Sequence, residues 1–265
     1  MFNRACTSPM KLLHSKPVPL SHLVTVFILL AAASAFLYQS RLDMWLAHQI
    51  YDLEGGHGGG FPLTHNYWLY NVMHEDARYL VKRIFFITLG LAIAGSFIER
   101  LKPARSALWY IVLAALLSTS LISWLKGVTK LPCPQDLVAF GGQQEWISFW
   151  KALSPQLPAG HCYPAGHASS GYGWLCLAFV FPYGSRAFRY AIIPGAAAGL
   201  LFGMVQQFRG EHFLSHDLMT IDVCWTVSGI IYLALRQLLG RKVPLNAADE
   251  AMQPQEFCPV SEEAS

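Results

Sequence analysis

The stretch "RIFFITLGLAIAGSFIER", Arg83–Arg100, settles what kind of chain this is. Charged residues close it at both ends and none lies between. It approaches the roughly 20 apolar residues that cross a bilayer. Comparable runs recur, and six spans are read at about 18–38, 83–98, 106–125, 168–183, 190–207 and 217–235. The composition agrees. Of 265 residues 54% are hydrophobic and only 13% charged, with a mean hydropathy of +0.35. A soluble domain carries about 25% charged residues, so this chain cannot coat a water-facing surface in the ordinary way. The expectation is an all-α polytopic membrane protein of six transmembrane helices, with a helical subdomain built from its outer loops. The run at 18–38 is longer than a signal-peptide core, and "SAFLYQSR" makes a poor cleavage site, so it is kept as a span.

Lys and Arg set the orientation. Arg4, Lys11 and Lys16, then Arg100, Lys102 and Arg105, then Arg186 and Arg189, then Arg236, Arg241 and Lys242 fall on one side, read as cytoplasm. Lys82 and Arg83 run against this bias. Loops 39–82, 126–167 and 208–216 then face outward, into a periplasm, and the membrane is a bacterial inner membrane. Residues 1–16 form a cytoplasmic segment, 17–242 the membrane domain, and 243–265 a disordered cytoplasmic tail. The net charge of +3 is spread thinly. It calls for no nucleic-acid partner, and the bilayer is the expected environment.

The first outer loop is not structureless. Leu42, Trp45, Leu46, Ile50 and Leu53 recur at helical spacing, which predicts an amphipathic helix on the membrane surface. A flexible "GGHGGG" joint follows, then a second helix from about residue 66 into span two. His57, His65 and His74, with Glu75 and Asp76, match no metal-ligand spacing and read as solvated polar residues. Cys133 and Cys162 share the second outer loop. An oxidising compartment permits a disulfide there; two free thiols are the other reading.

Chemistry concentrates where three spans meet the outer face. Span three ends in Lys126, span four begins at His167 in "CYPAGHASSGYGW", and span five runs out through "QQFRGEHFLSHD". Singly, Lys126 and Arg209 read as snorkelling anchors. Jointly they point to a site, because a chain this sparing of charge spends it where function needs it. Two histidines among cations suit phosphoryl transfer: a neutral imidazole attacks phosphorus and a second protonates the leaving oxygen. Cations and backbone N–H groups hold the equatorial oxygens.

These residues resemble the membrane-bound type-2 phosphatidic acid phosphatases, relatives of bacterial acid phosphatases and vanadium haloperoxidases. The resemblance rests on Lys126 through Cys133-Pro134, on Pro164-Ala165-Gly166-His167, and on the segment around "GEHFLSHD", in that order. It implies His212 as nucleophile, His167 as general acid, and Lys126 with the backbone at Ala165 and Gly166 as phosphate ligands. It also implies a lipid phosphate substrate and no metal or cofactor. Three positions depart from the family pattern. Cys133 stands in place of an Arg, with Lys130 a candidate replacement. Ala165 stands in place of a Ser, with Ser169 and Ser170 a turn away. Gln206 stands in place of the second Arg, with Arg209 at i+3 able to face the same pocket. Asp217 or His216 would orient His212: a carboxylate favours the first, helix register the second.

The leading reading is a lipid phosphatase acting on a phosphatidate-type lipid, phosphatidylglycerophosphate, polyprenyl pyrophosphate or lipid A. A lipid-to-lipid phosphotransferase would use the same chemistry. A binder of anionic lipid heads without catalysis is the reading from another class, and a transporter the weakest.

Overall fold

The computed structural model describes residues 16–154 and 160–240. The expected segment 1–16 falls almost wholly, and the tail 243–265 wholly, outside them. Among the described residues the regular structure is helical, with only an isolated bridge between Leu137 and Gln144. The α-helices are α1 (Leu20–Gln39), α2 (Leu42–Leu53), α3 (Ala77–Phe97), α4 (Arg105–Val128), the single turn α5 (Ser169–Tyr172), α6 (Arg186–Phe208) and α7 (Leu214–Gly240). A π-helical stretch, Trp68–Asp76, leads directly into α3, and α5 continues as a 3-10 helix, Gly173–Val180.

Among the described residues five helices are long and apolar enough to cross a membrane: Leu20–Gln39, Trp68–Phe97, Glu99–Val128, Arg186–Phe208 and Leu214–Leu238. The chain is a multi-pass membrane protein. The expected span at 168–183 takes another form. Its winding tightens from α to 3-10 at Gly173, and with about 2.0 Å of rise per 3-10 residue the whole segment reaches about 22 Å. It sits inside the bundle rather than at its rim. Tyr172, Leu175, Cys176, Ala178 and Phe179 are all buried in the main apolar core, with Tyr110, Ala114, Trp225 and Tyr232.

Glycine explains how α5 comes so close to α6. A Cβ on Gly171 would collide with the backbone at Ala198 and Gly199, and one on Gly195 would meet Trp174 and Leu175. Small residues let backbones approach where lipid offers no hydrophobic drive. Gly173 is different, since its nearest neighbour is the Thr119 methyl at 3.7 Å.

A second apolar cluster caps the end of the bundle where α1 finishes. Tyr38, Ala47, Tyr51, Phe61, Leu131, Leu137, Phe140, Tyr163 and Phe213 form it. The helix predicted at 42–53 is present as α2. Its buried face is Asp43, Ala47 and Tyr51, while Leu42, Trp45 and Leu53 point outward. The i, i+4 spacing of that buried triplet turns a carboxylate into the protein. Asp43 Oδ1 accepts the Ser215 amide at 3.2 Å, tying α2 to the start of α7.

Candidate active site

Lys126 lies on the last turn of α4, and Gly166 and His167 lie in the turn that enters α5. Gly166 has a packing reason to be glycine. A Cβ there would stand 3.1 Å from Lys126 Cδ and 3.2 Å from its Nζ, so the bare backbone leaves the ammonium its place. The third segment is the α6–α7 connection. Helix α6 ends at Phe208, and Gly210 takes a left-handed conformation with φ +70°. Such a turn stops a helix at low cost only with glycine. It reverses the chain within a few residues, so that Arg209 and His212 face the same space.

That space is a cavity of about 820 Å³. Lys126, His167, Arg209 and His212 line one end of it. Phe85, Phe86, Leu116 and Trp174, from α3, α4 and the 3-10 helix after α5, line the other. The walls carry four cations (Arg78, Lys82, Lys126 and Arg209) against one carboxylate, Glu211. An elongated molecule with an anionic head and an apolar tail matches both ends.

Arg209 is buried and held from three directions. Its Nε donates to the Thr64 carbonyl at 3.1 Å, one terminal nitrogen to Gln206 Oε1 at 2.8 Å, and the other to Glu211 Oε1 at 3.3 Å. The guanidinium also lies 5.0 Å from the centre of the Tyr70 ring. The i+3 relation to Gln206 read from the sequence is thus a hydrogen bond. His212 is almost fully buried, and its Nδ1 is enclosed without a hydrogen-bond partner. Burial first, and then the nearby Lys126, hold its imidazole well below the usual histidine range, with the Cys162 carbonyl pulling weakly the other way. Burial and then His74 lower His167 to about 4. Both rings are therefore neutral at neutral pH when no ligand is present.

Four expected residues find other surroundings. Lys130 does not line the cavity, because the chain leaves α4 at Thr129 in extended form and carries it past the opening. Ala165 does not line it either. Its amide donates to the His216 carbonyl at 3.3 Å and its carbonyl accepts from Thr220 at 3.1 Å, so both backbone groups are spent on α7. Asp217 accepts from Gln207 Nε2 at 2.7 Å and packs against Gly203 on α6. Its partner is Gln207 and not His212. His216 is nearer the nucleophile candidate, with ring centroids 5.7 Å apart, but the rings meet edge to face. Ser169 and Ser170 line the cavity, Ser169 donating to the Gly166 carbonyl at 2.6 Å.

His74 corrects the sequence reading. It is no solvated residue but part of the cavity wall, stacked on His167 with centroids 4.3 Å apart. Gln206 Nε2 lies 2.5 Å from its Nδ1 and Glu75 Oε1 lies 3.2 Å from its Nε2. His57 and His65 are exposed, as expected of solvated residues. The missed signal was the winding: π-helical turns gather at functional sites, and residue spacing alone does not announce one. Cys133 and Cys162 are bridged, with Cα atoms 5.3 Å apart. Among the described residues Cys133, Asp136 and Cys162 have ligand atoms close enough for a metal, but the two thiols are already committed to each other.

Comparison with protein-family models matches residues 107–239 to the PAP2 superfamily. The chain belongs to the PAP2 superfamily. That family is of phosphatase and phosphotransferase type, so this PAP2 protein falls among phosphoric-ester hydrolases at the coarse level. The matched stretch runs from α4 into α7 and holds Lys126, His167, Arg209 and His212. It leaves out α1, α2 and α3, and with them Asp43, His74, Arg78 and Lys82. Searches against curated proteins and against solved structures return no match for this PAP2 chain.

Proposed function

We propose that this protein is an integral-membrane lipid phosphatase working through a phosphohistidine, without a metal. Six segments cross the inner membrane, the buried α5 with its 3-10 continuation being the sixth, and the site opens toward the periplasm. One observation carries the reading. His167 and His212, 45 residues apart in sequence, line a single cavity with Lys126 and Arg209, and that cavity continues into an apolar slot between helices.

The chemistry follows from the enclosure of the His212 ring. Its Nδ1 is sealed, so attack falls to Nε2, whose lone pair forms the N–P bond. The P–O bond to the lipid breaks, and His167 hands its proton to the departing oxygen, releasing a lipid alcohol. Water then attacks phosphorus, returns a proton to His167, and breaks the N–P bond to free inorganic phosphate and His212. Lys126 and the Gly166 backbone stand beside the equatorial oxygens, where charge spreads in the transition state. The free His167 ring is neutral, its pKa lowered to about 4. A bound phosphate dianion supplies the negative charge that returns a proton to it. Arg78 and Lys82, deeper along α3, suit a head group with negative charge beyond the reacting phosphate. Phe85, Phe86 and Trp174 suit the tails.

The test is phosphate release by purified full-length protein in detergent, across phosphatidate, phosphatidylglycerophosphate and polyprenyl pyrophosphate, with EDTA present. Turnover on at least one lipid is expected. A base-stable, acid-labile phosphoenzyme should form in wild type and be absent in His212→Ala. A strict divalent-metal requirement, or a phosphoenzyme that persists in His212→Ala, refutes the mechanism.

A further inference from the structure

Attack through Nε2 of His212 requires the ring proton to sit on Nδ1, and a buried N–H needs an acceptor. Among the described residues of the matched family region no side chain supplies one: Asp217 is turned to Gln207, His216 meets His212 only ring edge to ring face, and the Cys162 carbonyl, though close enough to act on the ring, leaves Nδ1 without a hydrogen bond. A small pocket of about 10 Å³ is lined by His212, Asp43, Ala47 and Gln207 among others. Two buried polar atoms on its lining residues have no partner, His212 Nδ1 and Asp43 Oδ2. The volume is about that of one water molecule, and such a site holds water when it offers two to four polar partners.

Resting on the reading of His212 as nucleophile, we propose that Asp43 is its positioning residue, acting through one buried water. Nδ1–H donates to the water oxygen, and the water donates to Asp43 Oδ2. The Gln207 carboxamide on the same wall completes the set of polar neighbours. This holds the tautomer that leaves the Nε2 lone pair free, and it places a carboxylate where positive charge grows on the ring as the N–P bond forms. Asp43 Oδ1 is meanwhile fixed by the Ser215 amide, so the carboxylate cannot swing away. The carboxylate reaches the nucleophile from α2, which packs on the start of the α7 helix that carries Asp217. The i+4 position after His212, where helix register would place an orienting group, is occupied here by His216.

The experiment compares Asp43→Asn, Ala47→Val and His212→Ala with wild type. The full-length protein is assayed in detergent on a short-chain phosphatidate, or on whichever lipid phosphate of the panel turns over. Asp43→Asn keeps an oxygen for the Ser215 amide but loses the charge. Ala47→Val keeps the carboxylate and fills the water-sized space. Both should lower kcat about 10-fold or more with KM within about twofold, and slow phosphoenzyme formation in step, the pattern of an interaction made in the transition state. A wild-type kcat in either variant overturns the proposal. Should the thermal midpoint of Asp43→Asn drop, Ala47→Val decides alone. Phosphoenzyme formed by His212→Ala would instead sink the nucleophile assignment, a result distinct from failure of Asp43.

Discussion

His74 lies face to face with His167, ring centroids 4.3 Å apart and planes inclined by 28°. The two come from opposite sides of the family boundary, His167 within the PAP2 match and His74 before it. After burial, His74 is the main influence lowering His167. The productive complex needs one proton on His167, whose pKa in the free site is depressed. Wild-type kcat/KM on a lipid phosphate should therefore rise as pH falls from about 8 to about 5, because that ratio reports the free enzyme. In His74→Phe the stack is kept and the positive charge is not, so His167 titrates higher and the falling limb moves to higher pH. An unmoved limb would show that His167 is not the proton donor.

Arg209 makes three bonds in three directions, to Thr64, Gln206 and Glu211. A lysine carries the charge but not the planar fork. Arg209→Lys should lose at least about 10-fold in kcat/KM, as a charge-assisted hydrogen bond is worth roughly 1.5–3 kcal/mol. Kinetics on the best lipid of the panel would measure it, and full activity in Arg209→Lys would reduce Arg209 to a general counter-charge.

Gly171 and Gly173 sit two residues apart with opposite expectations. Gly171→Ala drives a methyl into the α6 backbone and should cost about 1–3 kcal/mol as overpacking does. Gly173→Ala meets only a methyl at 3.7 Å and should leave the thermal midpoint close to wild type. Paired melting curves in detergent test the contrast, and equal midpoints would contradict the close α5–α6 contact.

The Cys133–Cys162 bridge closes a loop with a sequence separation of 29. Loop-closure entropy for that length suggests about 3–4 kcal/mol of stabilisation. A Cys133→Ser, Cys162→Ser double variant should melt earlier than wild type under oxidising conditions and equally early with or without reductant. An unchanged midpoint would place the stability of the loop in the second apolar cluster instead.

Hydropathy and charge were enough to read the membrane class, the helical architecture and the order of three chemical segments. Runs of apolar residues and the spacing of Lys126, His167 and His212 are properties of the chain in one dimension. Bilayer thickness and phosphoryl chemistry act on them directly. What lay beyond that reading depends on distances between residues far apart in sequence. Whether Asp217 faces His212 or Gln207 turns on how α6 packs against α7 at Gly203. Whether His74 is solvated or stacked turns on a π-helical turn that periodicity does not reveal. Asp43 reads as an ordinary polar residue of an amphipathic helix until α2 folds over the start of α7. Hydrogen bonds and ring contacts act over a few ångströms, and only the packed chain brings these groups that close.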